Sequence, residues 1–233
     1  MARTSRKKSA PVIATSSAAP QSFDNLKNFA APYRIHIGCG SWKFIDFVNV
    51  DTRATEATDV THDCSDVSIF PDESASMVFS HAFFEHLFFS QRIPLLADIR
   101  RVLRPDGLVY FCGLPDFEVI ARSYLEKRPG NVSPLFNLAE VYRYTHGIPE
   151  YQPEWWVEQL HKTLFDHNEI RTLLAAAGFV NPSIFRYRYR SEPNPITLGF
   201  IAAKSNATIS PALTQSVYEM FSAIYGNNPI QIL

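Results

Sequence analysis

The chain has 233 residues, 46% of them hydrophobic, and a formal net charge of -1, so it can form one full domain with an ordinary core. Such a balanced charge offers no global field that would attract nucleic acid or an anionic membrane, and no apolar run is long enough to cross a bilayer. Cys39, Cys64 and Cys112 lie far apart without a CxxC pair, which disfavours a zinc site or a disulfide framework and predicts a reducing, cytoplasmic location.

The N-terminal segment, residues 1–21, is basic and carries no acidic residue. It lacks the apolar core of a secretory signal, and we predict a disordered tail. An organelle transit peptide shares this composition and stays open as an alternative. A short helix is predicted over residues 22–31, before Pro32.

Short apolar runs then alternate with turns and one helical pattern. We predict strands over residues 33–40, 47–51, 76–80 and 108–111. A helix is expected with Pro94 in its first turn, ending near Arg104 before Pro105-Asp106-Gly107. This alternation predicts an α/β fold, a Rossmann-like, doubly wound and mostly parallel seven-stranded sheet.

The second half of the chain is less regular. Residues 116–159 are helix-prone but interrupted by prolines and glycines, and they predict a helical lid or insertion. Asp166 as N-cap and Gly178 as C-cap delimit one more helix, and residues 183–190 and 197–204 predict an antiparallel C-terminal strand pair. The predicted organisation is one α/β domain over residues 22–205 and a C-terminal helical extension over residues 206–233.

A glycine-containing turn and two acids follow the first strands. Gly38 and Gly40 would let a ligand approach the backbone closely, with unpaired N–H groups facing it. The dinucleotide-binding fingerprint requires a third glycine at the position where this chain has Lys43. Asp51 ends the second strand, where a carboxylate can accept both hydroxyls of a ribose, and Asp63 lies in the next loop. The order of these features favours a cofactor site over a plain tight turn.

Several motifs in chain order resemble class I S-adenosylmethionine-dependent methyltransferases, and most closely the branch related to type 11 methyltransferase domains. They are Ile35-His-Ile-Gly-Cys-Gly40, Phe47-Val-Asn-Val-Asp51, Phe79-Ser-His-Ala-Phe-Phe-Glu-His-Leu87, Arg101-Val-Leu-Arg-Pro-Asp-Gly107, and His161-Lys-Thr-Leu-Phe165 with Leu173-Leu-Ala-Ala-Ala-Gly-Phe179. The likeness spans residues 33–204. It departs from many members at Ser41-Trp42-Lys43, where those members keep another glycine.

The resemblance implies S-adenosylmethionine as cofactor and a methyltransferase activity. The implied contacts are Gly38, Cys39 and Gly40 for the methionine part, Asp51 for the ribose, Asp63 and Cys64 for the adenine, and Ser80 and His81 for the sulfonium side and the substrate entrance.

Methyl transfer from a sulfonium is an in-line displacement that needs alignment, exclusion of water and sometimes removal of a proton. We predict His81 as the catalytic base, since an imidazole titrates near pH 7. For Glu85-His86 the resemblance also implies a structural role in the loop after the strand. No metal site is predicted, because five residues separate His81 from His86 and place them off a common helix face.

The predicted substrate-binding residues are His161, Trp155 and Tyr144, with a packed lid and a structural histidine as the alternatives. We predict a small-molecule or glycan-type acceptor. No Asn/Asp-Pro-Pro-aromatic motif follows the fourth strand, which disfavours methylation of nucleic-acid bases. Two other hypotheses remain: a non-catalytic S-adenosylmethionine-binding regulatory or assembly protein, and an NAD-dependent oxidoreductase, which the missing third glycine disfavours.

Overall fold

The computed structural model describes residues 23–147, 159–205 and 207–233. The predicted tail over residues 1–21 lies outside the described residues, as do residues 148–158 of the predicted lid, Trp155 among them. Within the described ranges, no helix has the length and apolar character that a bilayer crossing needs.

One sheet forms the centre of the described chain. Its strands are β1 (Tyr33–Ile37), β2 (Val48–Asp51), β3 (Val60–Thr61), β4 (Ala75–His81), β5 (Leu103–Pro115), β6 (Ser183–Tyr187), β7 (Thr197–Ala203) and β8 (Gln231–Ile232). Their order is β3-β2-β1-β4-β5-β7-β6-β8. Strands β1 to β5 pair in parallel, whereas β7 runs antiparallel between β5 and β6. The Rossmann-like fold with its antiparallel C-terminal strands is confirmed, and the short edge strand β8 extends the predicted seven strands to eight.

Six helices and two 3-10 turns accompany the sheet in the described residues. They are α1 (Phe89–Val102), α2 (Phe117–Leu125), α3 (Leu138–His146), α4 (His167–Ala176), α5 (Pro211–Met220) and α6 (Ser222–Tyr225), with 3-10 turns at Phe23–Asn28 and Phe84–His86. The prediction for Pro94 was wrong, because α1 starts five residues earlier and Pro94 lies in its second turn. Proline has no N–H for the Ser90 carbonyl, but both residues are exposed, so water can satisfy that carbonyl.

Helix α4 follows its predicted signals. The Asp166 side chain accepts a hydrogen bond from the Glu169 N–H at 2.8 Å, and Gly178 follows the helix end with a φ of +84°. Its apolar stripe, with Ile170 and Leu174 fully buried, packs against one face of the sheet together with α1. This layer therefore forms as amphipathic periodicity requires.

The last helices cover the opposite face of the sheet. Phe221 stacks on Phe79 with ring centroids 3.9 Å apart, and the Tyr225 hydroxyl lies 2.8 Å from the Tyr110 hydroxyl. All four rings are buried. The segment that the sequence presents as a C-terminal extension is thus part of the central core, because it supplies the apolar surface that this face needs.

Residues 38–47 join β1 to β2 without a helix, although parallel strands are usually connected through one. The buried side chain of Asn49 holds this connection. Its Oδ1 accepts the Phe44 N–H at 3.0 Å, and its Nδ2 donates to the Phe44 carbonyl at 2.9 Å and to Asp59 Oδ2 at 2.7 Å. One amide side chain therefore satisfies backbone groups that a helix would otherwise pair.

Replacing Asn49 by leucine should destabilise the protein by about 2–4 kcal/mol, because buried polar groups of the connection lose their partners. Urea unfolding followed by tryptophan fluorescence measures the change. Asn168→Ala, at an exposed position of α4, is the control and should stay within about 0.5 kcal/mol of the parent protein. Equal stability of the two variants would contradict the role of Asn49.

Candidate functional site

A cavity of about 660 Å³ opens at the carboxyl ends of β1, β2 and β4. Strand order reverses between β1 and β4, and in open α/β sheets such a switch point is where ligands bind. Seven of the eight predicted cofactor residues lie in its wall, among them Gly38, Asp51, Asp63 and His81, which are far apart in sequence. Its volume is typical of a small-molecule site.

The glycine turn after β1 is held by a thiol and a carboxylate. Gly38 adopts a φ of +66°, and a Cβ there would meet the Phe83 ring at 2.8 Å, so a side chain at this position meets both backbone strain and a clash. The Gly38 N–H faces Cys64 Sγ at 3.3 Å, and the Gly40 N–H donates to Asp51 Oδ2 at 2.8 Å. The turn is therefore fixed before any ligand arrives.

The two predicted acids differ in exposure but both have oriented carboxylates. Asp51 is buried, and its Oδ1 accepts the Arg53 N–H at 2.9 Å. Asp63 is exposed, and its Oδ1 accepts from the Ser65 N–H and hydroxyl, both at 2.8 Å. Since a carboxylate offers about four acceptor positions, each acid retains capacity toward the cavity.

Cys39, Cys64 and Ser80 were also predicted to contact the cofactor. Cys39 and Cys64 line the cavity. Ser80 is not among the lining residues: its side chain is buried and its hydroxyl donates to the Ile37 carbonyl at 2.9 Å. Ser80 thus links β4 to β1 beneath the site.

A second cavity of about 390 Å³ adjoins the first. Three residues line both cavities: His81, Ala82 and Gln159. Of the predicted substrate residues, Tyr144 and His161 lie in the wall of the second cavity, whereas Trp155 lies outside the described residues. A Cβ on Gly113 would come within 2.5 Å of the Ala82 nitrogen, so a glycine is needed where the two strand ends approach at the junction.

Comparison with known proteins is consistent with this geometry. Residues 35–111 match the family model described as a methyltransferase domain, of type 11, and a search of curated proteins found no match. The chain contains a methyltransferase domain. Its cofactor is S-adenosylmethionine.

Two solved structures are similar to this chain at low sequence identity. A SAM-dependent methyltransferase from Archaeoglobus fulgidus is 15% identical, with a TM-score of 0.52 over 78% of this chain and 92% of that chain. A SAM-dependent methyltransferase from Methanosarcina mazei is 17% identical, with a TM-score of 0.47 over 78% and 97% of the two chains. The first of these likenesses supports the fold assignment.

The second cavity of the methyltransferase contains polar groups that no sequence motif indicated. The Tyr144 hydroxyl donates to Glu192 Oε1 at 2.8 Å, while Glu192 Oε2 and Arg143 Nη1 are buried and have no hydrogen-bond partner among the residues that the structure describes. Burial raises the pKa of Glu192. Arg143 lies on α3 and Glu192 follows β6, so only the folded chain brings the two residues to one cavity.

Burial keeps two cavity histidines of the methyltransferase neutral. It lowers the pKa of His81 to about 3, with further lowering from the charges of His36 and Arg190. Burial lowers the pKa of His36 to about 4, although the hydrogen bond to Asn49 opposes the shift. The ring of His81 stacks on Tyr189 with centroids 5.7 Å apart, and its Nε2 has no hydrogen-bond partner in the described ranges.

Acid should destabilise the methyltransferase through His36. The unfolded-state pKa of a histidine is about 6.5, which is above the folded value. The stability that depends on a neutral His36 is therefore fully present above pH 6.5 and is lost as the pH falls toward 4. From pH 7 to pH 5, the free energy of unfolding of the parent protein should fall by about 2 kcal/mol more than that of His36→Gln. Urea unfolding at both pH values measures this difference. A pH dependence of His36→Gln identical to that of the parent would contradict it.

Proposed function

We propose that this methyltransferase transfers the methyl group of S-adenosylmethionine to a polar small-molecule or glycan-type acceptor that binds in the second cavity. The observation that carries the proposal is the junction of the two cavities at His81 and Ala82. A cofactor in the first cavity and an acceptor in the second would meet there, as an in-line displacement requires. When bound, S-adenosylmethionine supplies an electrophilic methyl group on a sulfonium.

The first cavity has the groups that this cofactor needs. We propose that Asp51 binds the ribose hydroxyls through the acceptor positions left after its bonds to Gly40 and Arg53. The methionine part would lie over the turn at Gly40, where a Cβ would meet no atom within 4 Å. Asp63 and Cys64 would border the adenine. The described residues thus fit the cofactor.

The second cavity supports a polar acceptor. An unpaired buried carboxylate oxygen and an unpaired guanidinium nitrogen are costly, and within the described part of the chain neither Glu192 Oε2 nor Arg143 Nη1 has a partner. A ligand with a donor facing Glu192 and an acceptor facing Arg143 would satisfy both. Tyr144 holds the other Glu192 oxygen in place, and we propose that His161 completes this wall.

His81 would border the path of the methyl group. With a pKa lowered to about 3, it is a weaker base than the near-neutral groups that suit proton removal. We therefore propose that His81 acts mainly by accepting a hydrogen bond at Nε2 and orienting the acceptor. The proposed nucleophile is one that does not depend on prior deprotonation by this histidine.

The proposed location remains the cytoplasm. Cys39, Cys64 and Cys112 are buried free thiols, and burial raises the pKa of Cys39 to about 11. Reduced thiols without a partner for a disulfide are typical of a reducing compartment.

Asp51→Asn should weaken S-adenosylmethionine binding by about 1–3 kcal/mol, because the charge-assisted hydrogen bonds to the ribose are lost. Calorimetry against S-adenosylmethionine, S-adenosylhomocysteine and NAD measures it, and NAD should not bind. Asp46→Asn, exposed on the same connection, is the matched control and should bind like the parent. Unchanged affinity in folded Asp51→Asn would remove Asp51 from the site.

A panel of amine, hydroxyl and carboxylate acceptors, with sugars among them, tests the acceptor class with methyl-labelled cofactor. We expect transfer to a polar member, and Glu192→Gln should lower kcat/KM for it about tenfold through a lost hydrogen bond to the charged carboxylate. Glu219→Gln on the exposed face of α5 is the control. Cofactor binding without transfer to any member would favour a non-catalytic binding protein.

A further inference from the structure

Glu85, His86 and His161 form a compact cluster in the wall between the two cavities. One potential ligand atom from each lies within 4.8 Å of the others, and His86 Nε2 is 3.8 Å from Glu85 Oε1. Glu85 and His86 belong to the 3-10 turn after β4, whereas His161 precedes α4. The sequence argument against a metal considered only the spacing of His81 and His86, and the third group of this cluster comes from a distant segment.

Hydrogen bonds orient both imidazoles of the cluster toward its centre. His86 Nδ1 lies 3.2 Å from the Leu160 carbonyl, and His161 Nδ1 lies 2.8 Å from the Tyr144 carbonyl. A carbonyl oxygen can only accept, so in each of these contacts Nδ1 carries the proton and Nε2 is the unprotonated nitrogen of the neutral ring. Histidines that ligate metals are held by this kind of second hydrogen bond.

The carboxylate of the cluster lacks a partner for one oxygen. Glu85 is only 1% exposed, and its Oε2 has no hydrogen-bond partner among the described residues. An isolated buried carboxylate is costly unless a cation or donors compensate it. The cluster therefore brings two imidazole rings and one buried carboxyl group together, with one potential ligand atom from each within 4.8 Å of the others.

We propose that Glu85, His86 and His161 bind one divalent transition-metal ion of the zinc type. Two imidazole nitrogens and one carboxylate oxygen form a donor set that zinc prefers, with a fourth position left for another ligand. Bonds of 2.0–2.2 Å in a tetrahedral site put ligand atoms about 3.4 Å apart. The separations in the cluster are larger, 3.8 Å between His86 Nε2 and Glu85 Oε1 and at most 4.8 Å overall, so side-chain rotations would have to close the site around the ion.

The position of the cluster links the ion to both cavities. Glu85 and His161 line the second cavity, and His86 lines the first. Zinc binding by these three residues does not depend on the acceptor or on methyl transfer, so it can be measured without either.

Zinc titration of the full-length, untagged and chelator-treated protein tests the proposal, in competition with a chromophoric chelator. We expect one equivalent of Zn²⁺ per chain. Glu85→Gln and His161→Gln should each bind at least about tenfold more weakly, since each removes one of three protein ligands. His167→Gln, on the first turn of α4 and outside the cluster, is the matched control and should bind like the parent.

Cobalt gives a second readout of the same site. The Co²⁺-loaded parent should show the intense visible bands of a four-coordinate ion, and His161→Gln should lose them. Circular dichroism checks folding, and if Glu85→Gln does not fold, His161→Gln decides. Absence of stoichiometric zinc in the parent, or unchanged binding in the folded ligand variants, would overturn the site. Because these metal titrations contain no S-adenosylmethionine, that result would not contradict the proposed methyl transfer.

Discussion

The buried amide of Asn49 holds residues 38–47 as a helix-free connection between two parallel strands. Because this connection has no helix, one face of the sheet lacks the layer that usually covers it. The C-terminal helices occupy that face, and Phe221 packs against Phe44 of the connection with centroids 5.4 Å apart. The same amide contacts His36 Nδ1 at 3.2 Å, so the floor of the first cavity and the far end of the chain depend on one polar side chain.

The short connection between β1 and β2 also determines the shape of the cofactor cavity. With no intervening helix, the turn at Gly40 lies directly against Asp51, and the carboxylate pairs with a backbone N–H of that turn. The ligand-facing side of the turn is therefore oriented in advance, which lowers the ordering cost of binding. Burial also keeps His36 and His81 of this region neutral, because desolvation disfavours their charged forms.

The second cavity is formed by polar groups from segments that are far apart in sequence. Its polar groups come from α3, from the segment before α4 and from the loop after β6. They belong to no common sequence motif. Tyr144 fixes one Glu192 oxygen, while the other has no hydrogen-bond partner among the described residues. Unsatisfied buried groups are uncommon in folded proteins, and His81 and Arg143 contribute one further such atom each to the wall of this cavity.

The sequence by itself determined the parallel sheet, the antiparallel closing strands and the turn with Asp51, because strand periodicity, glycine chemistry and capping act over a few residues. It failed at Pro94, because α1 already begins at the exposed Phe89, where the Gln91 side chain accepts the Phe88 N–H, and Pro94 lies in the second turn. Only the tertiary structure decided that Ser80 supports the site from below, that the C-terminal helices complete the core, and that Glu192 faces the second cavity. These outcomes depend on contacts between residues far apart in sequence, which no local pattern encodes.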